Sequence, residues 1–476
     1  MRPFTIKTVT ALVGAAALAW VSAAGAVRTV YSDDGISELS APDQWSVRAD
    51  IGRNATLRVS DTQADHHLAV YTYLPGEYEP TSLEKFAEDF ASRLAASLED
   101  ARVSEAKKLT VNGRRAVQYE VAGSIGQERF VHQSTTVEGK EATHQLVATV
   151  SAAAYATHGA DLDKLIGSFR ESAKKRPPKE RIELNFGWPE AGTSAFTMRN
   201  KKTDRHGTHE MQMTGVTTLR PLNGEGLLIS TRVDQFKVSP AGEDAATNDY
   251  MQSLVRQATS QIPDYVVSRD GEFVRVDDLR GYHKRLEDAL LKGLPDGAQE
   301  AKTAATALVK NMFTEETLQV SLQDGWNKHV QSWAGNSYAV GETYTYVSPY
   351  QMPALGDAVF PMRVSEKLAG RVPCDAADKA NACVKLVQTS TVAGAEVDRA
   401  MQAYLVRVFK EMAGDKAPEV AVDAFEVVKT LTLVTDPETL TPYESTESEA
   451  KHTRLRINGE KQNGEEVSET VTRYTY

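Results

Sequence analysis

The chain has 476 residues, more than a single hydrophobic core usually organises, so about two or three domains are expected. Hydrophobic residues make up 41% of the sequence and charged residues 25%, as in soluble globular proteins. The formal net charge of -11 argues against nonspecific nucleic-acid binding, which requires a basic surface.

Residues 1–26 have the three parts of a secretory signal peptide. Arg2 and Lys7 form the basic region, residues 11–21 form the apolar region, and Ala24-Gly25-Ala26 has the small side chains of a cleavage site. The apolar region is shorter than the roughly 20 residues that span a bilayer. We therefore expect a soluble mature chain that begins at Val27, is periplasmic or secreted, and has no transmembrane segment.

Residues 27–172 have the pattern of an α+β domain. Residues 68–74 alternate as in a half-buried strand, and residues 83–98 place apolar side chains on one helical stripe. Asn112-Gly113 predicts a hairpin turn, because a type I′ turn needs positive φ at both positions. A short amphipathic helix ending near Phe169 closes the domain.

This order of elements resembles the PsbP-like fold, which includes the DcrB-like envelope proteins. The features that carry the resemblance are Pro42-Asp-Gln-Trp45, the long helix, Asn112-Gly113 and Ser168-Phe-Arg170. The resemblance covers about residues 30–171. It implies a role in binding a protein partner in the cell envelope, because most members of this fold bind proteins. No matching position implies a ligand or a catalytic group.

Residues 173–181 are predicted to be a linker. Five basic residues and one acidic residue give this segment a charge of +4, and Pro177 and Pro178 supply no backbone donors. A solvated, semi-rigid spacer between two acidic domains fits this composition. The alternative is a surface loop inside one large domain.

Residues 182–476 are predicted to form a larger α+β domain with an antiparallel sheet and a C-terminal β-meander. Asn458-Gly459 and Asn463-Gly464 are both predicted to be tight turns. A helix bearing Val397 and Met401 is expected to end at Gly414. The other expected helices are 246–261, 277–292, 297–312 and 315–333, and further strands are expected at 337–347, 357–366 and 382–391.

The turn at residues 436–442, between two long strands, is similar to one in LolA-like periplasmic carriers. In that family a curved antiparallel sheet wraps helices and encloses an apolar groove for acyl chains. The resemblance covers residues 182–476 and implies an acyl-chain or lipoprotein ligand. Large apolar side chains at Met211, Met213, Trp326 and Trp333 are therefore candidates for an apolar pocket. The alternative is that all four fill the core.

Cys374 and Cys383 are the only cysteines. In an exported chain, a pair that closes a short loop favours a structural disulfide. A redox-active pair would normally have Cys-x-x-Cys spacing, and two thiols alone do not complete a metal site. No other motif assigns a catalytic, cofactor-binding or metal-binding residue, and no cofactor is expected.

Tyr338, Tyr344, Tyr346 and Tyr350 form an aromatic cluster. Tyr344 and Tyr346 share a strand face and could stack on a sugar, although such residues more often pack in a core. The leading hypothesis is a non-catalytic envelope protein with a protein-contact domain and an apolar-ligand or lipid-binding domain. The alternatives are a glycan-binding module that uses the tyrosine strand, and an uncharacterised hydrolase whose residues converge only in the fold.

Overall fold

The structure is a computed structural model, and its contacts divide the chain into two compact units. The first unit is Met1–Ser46 with Thr72–Lys175, and the second is Val47–Tyr71 with Arg176–Tyr476. The predicted domain boundaries and the linker at 173–181 stay predictions. The structure describes residues 27–43, 45–48, 54–61, 66–77, 82–126, 128–188, 191–205, 207–222, 226–239, 262–292, 299, 303, 306, 314–352, 355, 359–378 and 380–476.

Three sequence predictions fall largely outside these ranges. They are the signal peptide at 1–26, the helix at 246–261 and most of the helix at 297–312. Within the described residues, no helix is long and apolar enough to cross a membrane.

The first unit contains a sheet in which β10, β9, β8 and β6 are neighbours and β7 also pairs with β8. A second sheet has the order β1, β2, β11. The bounds are β1 Val27–Tyr31, β2 Ser37–Pro42, β6 Glu99–Val103, β7 Lys107–Val111, β8 Arg114–Ile125, β9 Glu128–Glu138, β10 Thr143–Ser151 and β11 Arg170–Glu171. Between β2 and β6 the chain also forms β3 Ser46–Val47 and the antiparallel pair β4 Leu57–Ser60 and β5 His66–Tyr73.

Two serine caps begin the helices of the first unit. Helix α1, Leu83–Ala96, begins after Ser82, whose Oγ accepts a hydrogen bond from the Lys85 amide. Helix α2, Ala152–Gly167, begins after Ser151 in the same way. The predicted turn at Asn112-Gly113 is confirmed, because both residues have positive φ and join β7 to β8.

The second unit contains an 11-stranded antiparallel sheet with the order β17-β16-β15-β14-β13-β24-β23-β22-β21-β20-β19. The last strand of the chain therefore lies beside β13. The bounds are β13 Gly192–Asp204, β14 Gly207–Leu222, β15 Gly226–Ser239, β16 Tyr265–Val267, β17 Phe273–Val276, β19 Thr343–Gln351, β20 Val359–Val372, β21 Cys383–Ala393, β22 Val420–Thr435, β23 Pro442–Ile457 and β24 Glu460–Thr475. Two short strands, β12 Arg181–Glu183 and β18 Ser337–Ala339, pair with each other.

The described helices of the second unit are α3 Leu279–Lys292, α4 Glu315–Trp326 and α5 Ala395–Ala413, with a short 3₁₀ turn at Gly414–Lys416. The prediction of a single α-helix over 315–333 is wrong at its C-terminal end. After Trp326 the chain continues as a π-helical turn, Asn327–Gln331. Gly325, the weakest helix former in the segment, comes just before this change.

One of the two predicted turns in the C-terminal meander is wrong. Asn458 and Gly459 have positive φ and form the turn between β23 and β24. Asn463 and Gly464 instead lie inside β24, where they pair with Arg454 and Thr453. The long strand pairing overrides the local turn preference of the second Asn-Gly dipeptide.

The sulfur atoms of Cys374 and Cys383 lie at disulfide-bonding distance, 1.99 Å. Their sequence separation is 9 residues. A bond that closes so small a loop contributes on the order of 3 kcal/mol to the free energy of unfolding, because it reduces the conformational entropy of the unfolded chain.

Candidate functional site

A cavity of about 330 Å³ lies on one face of the sheet of the second unit, beside α4. We call it the apolar cavity. Alternate residues of β13, β14, β15 and β24 point into it, because every second side chain of a strand lies on the same face. Its apolar lining is Trp188, Phe196, Met198, Met213, Leu219, Ile229, Ile262, Tyr265, Leu322, Trp326, Val330, Pro442, Tyr474 and Tyr476.

An aromatic cluster around Trp326 forms one wall of the apolar cavity. The Trp326 ring centroid lies 5.2 Å from that of Trp188 and 6.0 Å from that of Tyr265, both at steep interplanar angles. The indole N–H of Trp326 donates to the Gly271 carbonyl at 2.7 Å. Trp188 is held in turn by a 3.0 Å hydrogen bond from its indole N–H to the Leu440 carbonyl. The hydrogen bond at each indole N–H therefore fixes the orientation of both tryptophan rings in this wall.

The polar atoms of the lining are mostly hydroxyl groups, from Thr193, Ser194, Thr217, Thr231, Ser321, Thr441 and Thr472. Among the described lining residues, none is Asp, Glu, Lys or Arg. Tyr474 lies in surroundings of low polarity, and its burial raises the pKa of its hydroxyl group to about 12. The cavity is therefore suited to an uncharged, largely apolar ligand.

His329 is the histidine of this lining, and it points from the cavity wall towards Glu447. Its Nδ1 lies 2.8 Å from the Gly325 carbonyl, so Nδ1 carries a proton. Its Nε2 lies 3.3 Å from a carboxylate oxygen of Glu447, and Lys328 lies 3.7 Å from the other. The neighbouring imidazole of His329 lowers the pKa of Glu447 to about 2, with Lys328 adding to the effect.

Two of the four predicted pocket residues line the apolar cavity. Met213 and Trp326 are in the lining, whereas Met211 and Trp333 are not. Trp333 is fully buried in the core, where its indole N–H donates to the Lys328 carbonyl at 2.8 Å. Met211 lies two residues before Met213 on β14 and pairs with Asn200. His329 was not predicted from the sequence, although its position three residues after Trp326 places both on one helical face.

Gly215 allows Phe196 to form part of the cavity wall. The two residues are cross-strand partners in β14 and β13. A Cβ atom on Gly215 would lie 2.7 Å from the Phe196 ring and 2.2 Å from the Arg232 carbonyl oxygen. The absence of a side chain at Gly215 is therefore needed for this close packing.

We expect Gly215→Ala to lower the free energy of unfolding by about 1–3 kcal/mol, because the backbone and Phe196 must both shift. The matched control is Gly464→Ala, since a Cβ there would meet only the Thr453 side chain at an ordinary 3.8 Å. Urea denaturation of both variants measures the difference. Equal stability of the two variants would contradict the packing argument.

A second depression, of about 510 Å³, lies on the sheet of the second unit and is polar. We call it the polar cleft. Its polar lining comes from β19, from β21 to β24 and from the segment 324–332. These residues are Asp324, Asn327, Lys328, Ser332, Tyr346, Ser348, Tyr350, Gln388, Ser390, Lys429, Thr430, Glu447, Ser448, Glu449, Ser468 and Thr470.

The tyrosine cluster does not form the row of stacking faces that a glycan-binding strand needs. Tyr338 and Tyr344 are buried, with their rings 5.2 Å apart in an edge-to-face contact. Tyr346 and Tyr350 line the polar cleft. Arg48 lies over the ring of Tyr346 at 4.7 Å, and Lys429 lies over the ring of Tyr350 at 4.9 Å. One ring face of each cleft tyrosine is therefore in contact with a cation.

Glu366 holds two of the side chains that line the polar cleft. Its carboxyl group is buried and accepts hydrogen bonds from the hydroxyls of Tyr338 and Tyr346, each at 2.8 Å. It also accepts a 3.0 Å hydrogen bond from the amide of Gln388. Because Tyr346 and Gln388 line the cleft, Glu366 fixes the orientation of both groups.

The first unit has a smaller cavity, of about 210 Å³, beside His144 and Glu171. His144 lies 3.3 Å from the Thr72 hydroxyl and 3.5 Å from a Glu171 carboxylate oxygen. A hydroxyl, an imidazole and a carboxylate in this order resemble a hydrolytic triad. However, both distances exceed the usual hydrogen-bond length of a catalytic pair, and the imidazole is fully buried. The arrangement therefore does not favour the hydrolase alternative.

Burial lowers the pKa of His144, despite the opposing effect of Glu171. The unfolded chain then binds more protons than the folded chain below the ordinary histidine value of about 6.5. Stability of the first unit should accordingly fall as the pH drops through this value. Amide protection factors of β10 at pH 5 and pH 7 measure this dependence. His144→Gln should reduce the dependence, and an unchanged slope would contradict the assignment to His144.

Among the residues that the structure describes, no group of three or more His, Cys, Asp or Glu side chains is placed to hold a metal ion.

In the comparison with known proteins, two solved structures each match about a third of the chain. Cyanobacterial PsbP (CyanoP) from Synechocystis sp. PCC 6803 matches 33% of this chain over 99% of its own length, with 12% identity and a TM-score of 0.27. A Pseudomonas aeruginosa protein of unknown function matches 32% of this chain over 99% of its own length, with 11% identity and a TM-score of 0.20. No family model and no curated protein matches the sequence.

With TM-scores of 0.27 and 0.20, these matches carry no conclusion about fold or function. The LolA-like resemblance of residues 182–476 gains no support from the comparisons and stays a prediction. A protein partner for residues 27–172 in the cell envelope also stays a prediction.

Proposed function

We propose that the second unit binds an acyl chain or another elongated apolar ligand, as a non-catalytic binding protein of the cell envelope. The observation that carries this proposal is the apolar cavity itself. It has an aromatic wall, aliphatic side chains on the facing strands, and no Asp, Glu, Lys or Arg in its described lining. Its volume of about 330 Å³ lies within the range of small-ligand sites, roughly 300–1,000 Å³.

The free energy available to such a ligand is large enough to measure. Burial of about ten methylene groups contributes on the order of 8 kcal/mol, from which the cost of association is subtracted. Met198 and Met213 are cross-strand partners at the cavity wall, and their flexible side chains can adjust to an irregular chain.

A cavity-filling pair of variants tests the proposal. Thr217 lines the apolar cavity, whereas its neighbour Thr218 lies on the other face of β14. Thr217→Trp should displace the ligand, and Thr218→Trp should not. Displacement of a fluorescent fatty-acid probe measures affinity, and native mass spectrometry of full chain purified without detergent detects a retained ligand.

The expected result is that wild type and Thr218→Trp bind the probe, while Thr217→Trp binds at least about tenfold more weakly. Lack of probe binding and of co-purified lipid in the wild type would overturn the proposal. Equal probe affinity in the two variants would place binding outside the cavity and would also overturn it.

A further inference from the structure

The apolar cavity and the polar cleft lie on the same face of the sheet and meet along β24. Thr472 lines the cavity and Thr470 lines the cleft. Side chains two residues apart on a strand share a face and are separated by about 7 Å. The cross-strand partners agree with this placement, because Thr472 pairs with Met198 of the cavity wall and Thr470 pairs with Glu447 of the cleft.

The end of α4 and the π-helical turn that follows it border both depressions. Trp326, His329 and Val330 line the apolar cavity, while Asn327 and Lys328 line the polar cleft. Glu447 of the cleft contacts His329 of the cavity wall at 3.3 Å. The two depressions are therefore adjacent regions of one surface, apolar at one end and polar at the other. Short π-helical turns occur frequently at functional sites.

The cleft's charges disfavour an anionic headgroup. Its two lysines already have acidic neighbours, with Lys429 3.3 Å from Glu449 and Lys328 3.7 Å from Glu447. With Asp324 the lining has three acidic and two basic side chains, so a phosphate or carboxylate would meet net repulsion. Hydroxyl, carboxamide and carboxylate groups are suited to the many hydroxyls of a sugar.

We propose that the ligand is an amphiphile with an uncharged glycosyl headgroup. Its acyl or alkyl chain occupies the apolar cavity, and its sugar hydroxyls bind the polar cleft near Gln388, Ser390 and Glu449. This inference rests on the proposed function, because the chain must enter the apolar cavity for the headgroup to reach the cleft. It adds the chemical class of the headgroup and a second binding region.

Calorimetric titration of the full chain with probes that share a twelve-carbon chain tests the headgroup. The probes are dodecyl maltoside, dodecanoate and dodecylphosphocholine, each below its micelle concentration, with maltose as the chain-free control. We expect dodecyl maltoside to bind at least about tenfold more tightly than the two charged-headgroup probes, since only its headgroup gains hydrogen bonds in the cleft.

A matched pair of variants on β24 locates the effect. Ser468 lines the polar cleft, and Val467 lies on the opposite, exposed face of the same strand. Ser468→Trp should remove the preference for dodecyl maltoside over dodecanoate, and Val467→Trp should keep it.

The outcomes separate the two proposals. If all three twelve-carbon probes bind equally and Ser468→Trp changes nothing, the headgroup inference is overturned while the apolar cavity stands. If dodecanoate or dodecylphosphocholine binds most tightly, the uncharged headgroup is overturned in the same way. If no twelve-carbon probe binds, the proposed function fails as well.

Discussion

Trp326→Ala is expected to lower the free energy of unfolding by about 3–5 kcal/mol and to abolish binding of an apolar ligand. The loss of stability follows from the burial of the indole, which is only 4% exposed and contacts the rings of Phe186, Trp188 and Tyr265. The loss of binding follows because the same ring lines the apolar cavity. Urea denaturation and displacement of a fluorescent fatty-acid probe measure the two effects.

Trp333→Ala is the matched control for this prediction. Trp333 is completely buried in the same core but does not line the cavity. It should cost a similar amount of stability while leaving the probe affinity nearly unchanged under conditions where both variants are folded. Equal loss of affinity in the two variants would show that the effect of Trp326 comes from general destabilisation. If Trp326→Ala does not fold, Trp326→Phe provides the comparison at a smaller cost.

Glu366→Ala is expected to lower the free energy of unfolding by about 3 kcal/mol and to weaken binding of a glycosyl amphiphile. The substitution deprives three donors, on Tyr338, Tyr346 and Gln388, of their shared acceptor. Buried donors that lose an acceptor are costly, and the two donors that line the cleft also lose their fixed orientation. Urea denaturation and titration with dodecyl maltoside are the measurements.

Glu366→Gln retains one acceptor oxygen and nearly the same volume, so it should cost less than Glu366→Ala in both measurements. Dodecanoate affinity provides an internal reference, because its chain reaches the apolar cavity without using the cleft. A Glu366→Ala protein as stable as wild type would contradict the role assigned to the buried carboxyl group.

Local sequence patterns predicted many elements of the second unit but not all of their ends. The strand predicted at 382–391 and the helix predicted to end at Gly414 lie close to β21 and α5, because alternation and helical spacing are strong over these stretches. The π-helical turn at 327–331 has no such signal. Its side chains keep a helical spacing, so only the backbone hydrogen bonds distinguish it from a longer α-helix.

The cavity could be predicted only in part, because its residues converge through strand pairing. Met213 and Trp326 were suggested by their size, but size does not separate them from Trp333, which fills the core. On β15, Val233 and Phe236 are both buried because the register shifts between them, opposite Thr214 and Gly215. Simple alternation would have placed these two side chains on opposite faces.

The pairing of β13 with β24 could not be predicted from the sequence. It joins residues more than 250 positions apart, for example Met198 and Thr472. Because of this pairing, the apolar cavity and the polar cleft lie next to each other on one sheet. No local pattern in either strand indicates its partner.

The most direct test of the central claim is to locate a bound chain in the second unit. A crystal of the full chain grown with a bromine-tagged dodecyl amphiphile gives the bromine positions by anomalous diffraction. With the bromine at the end of the chain, we predict a peak inside the apolar cavity, between Trp326 and Met213. A bound ligand whose bromine lies elsewhere, or an empty cavity at saturating ligand, would contradict the claim.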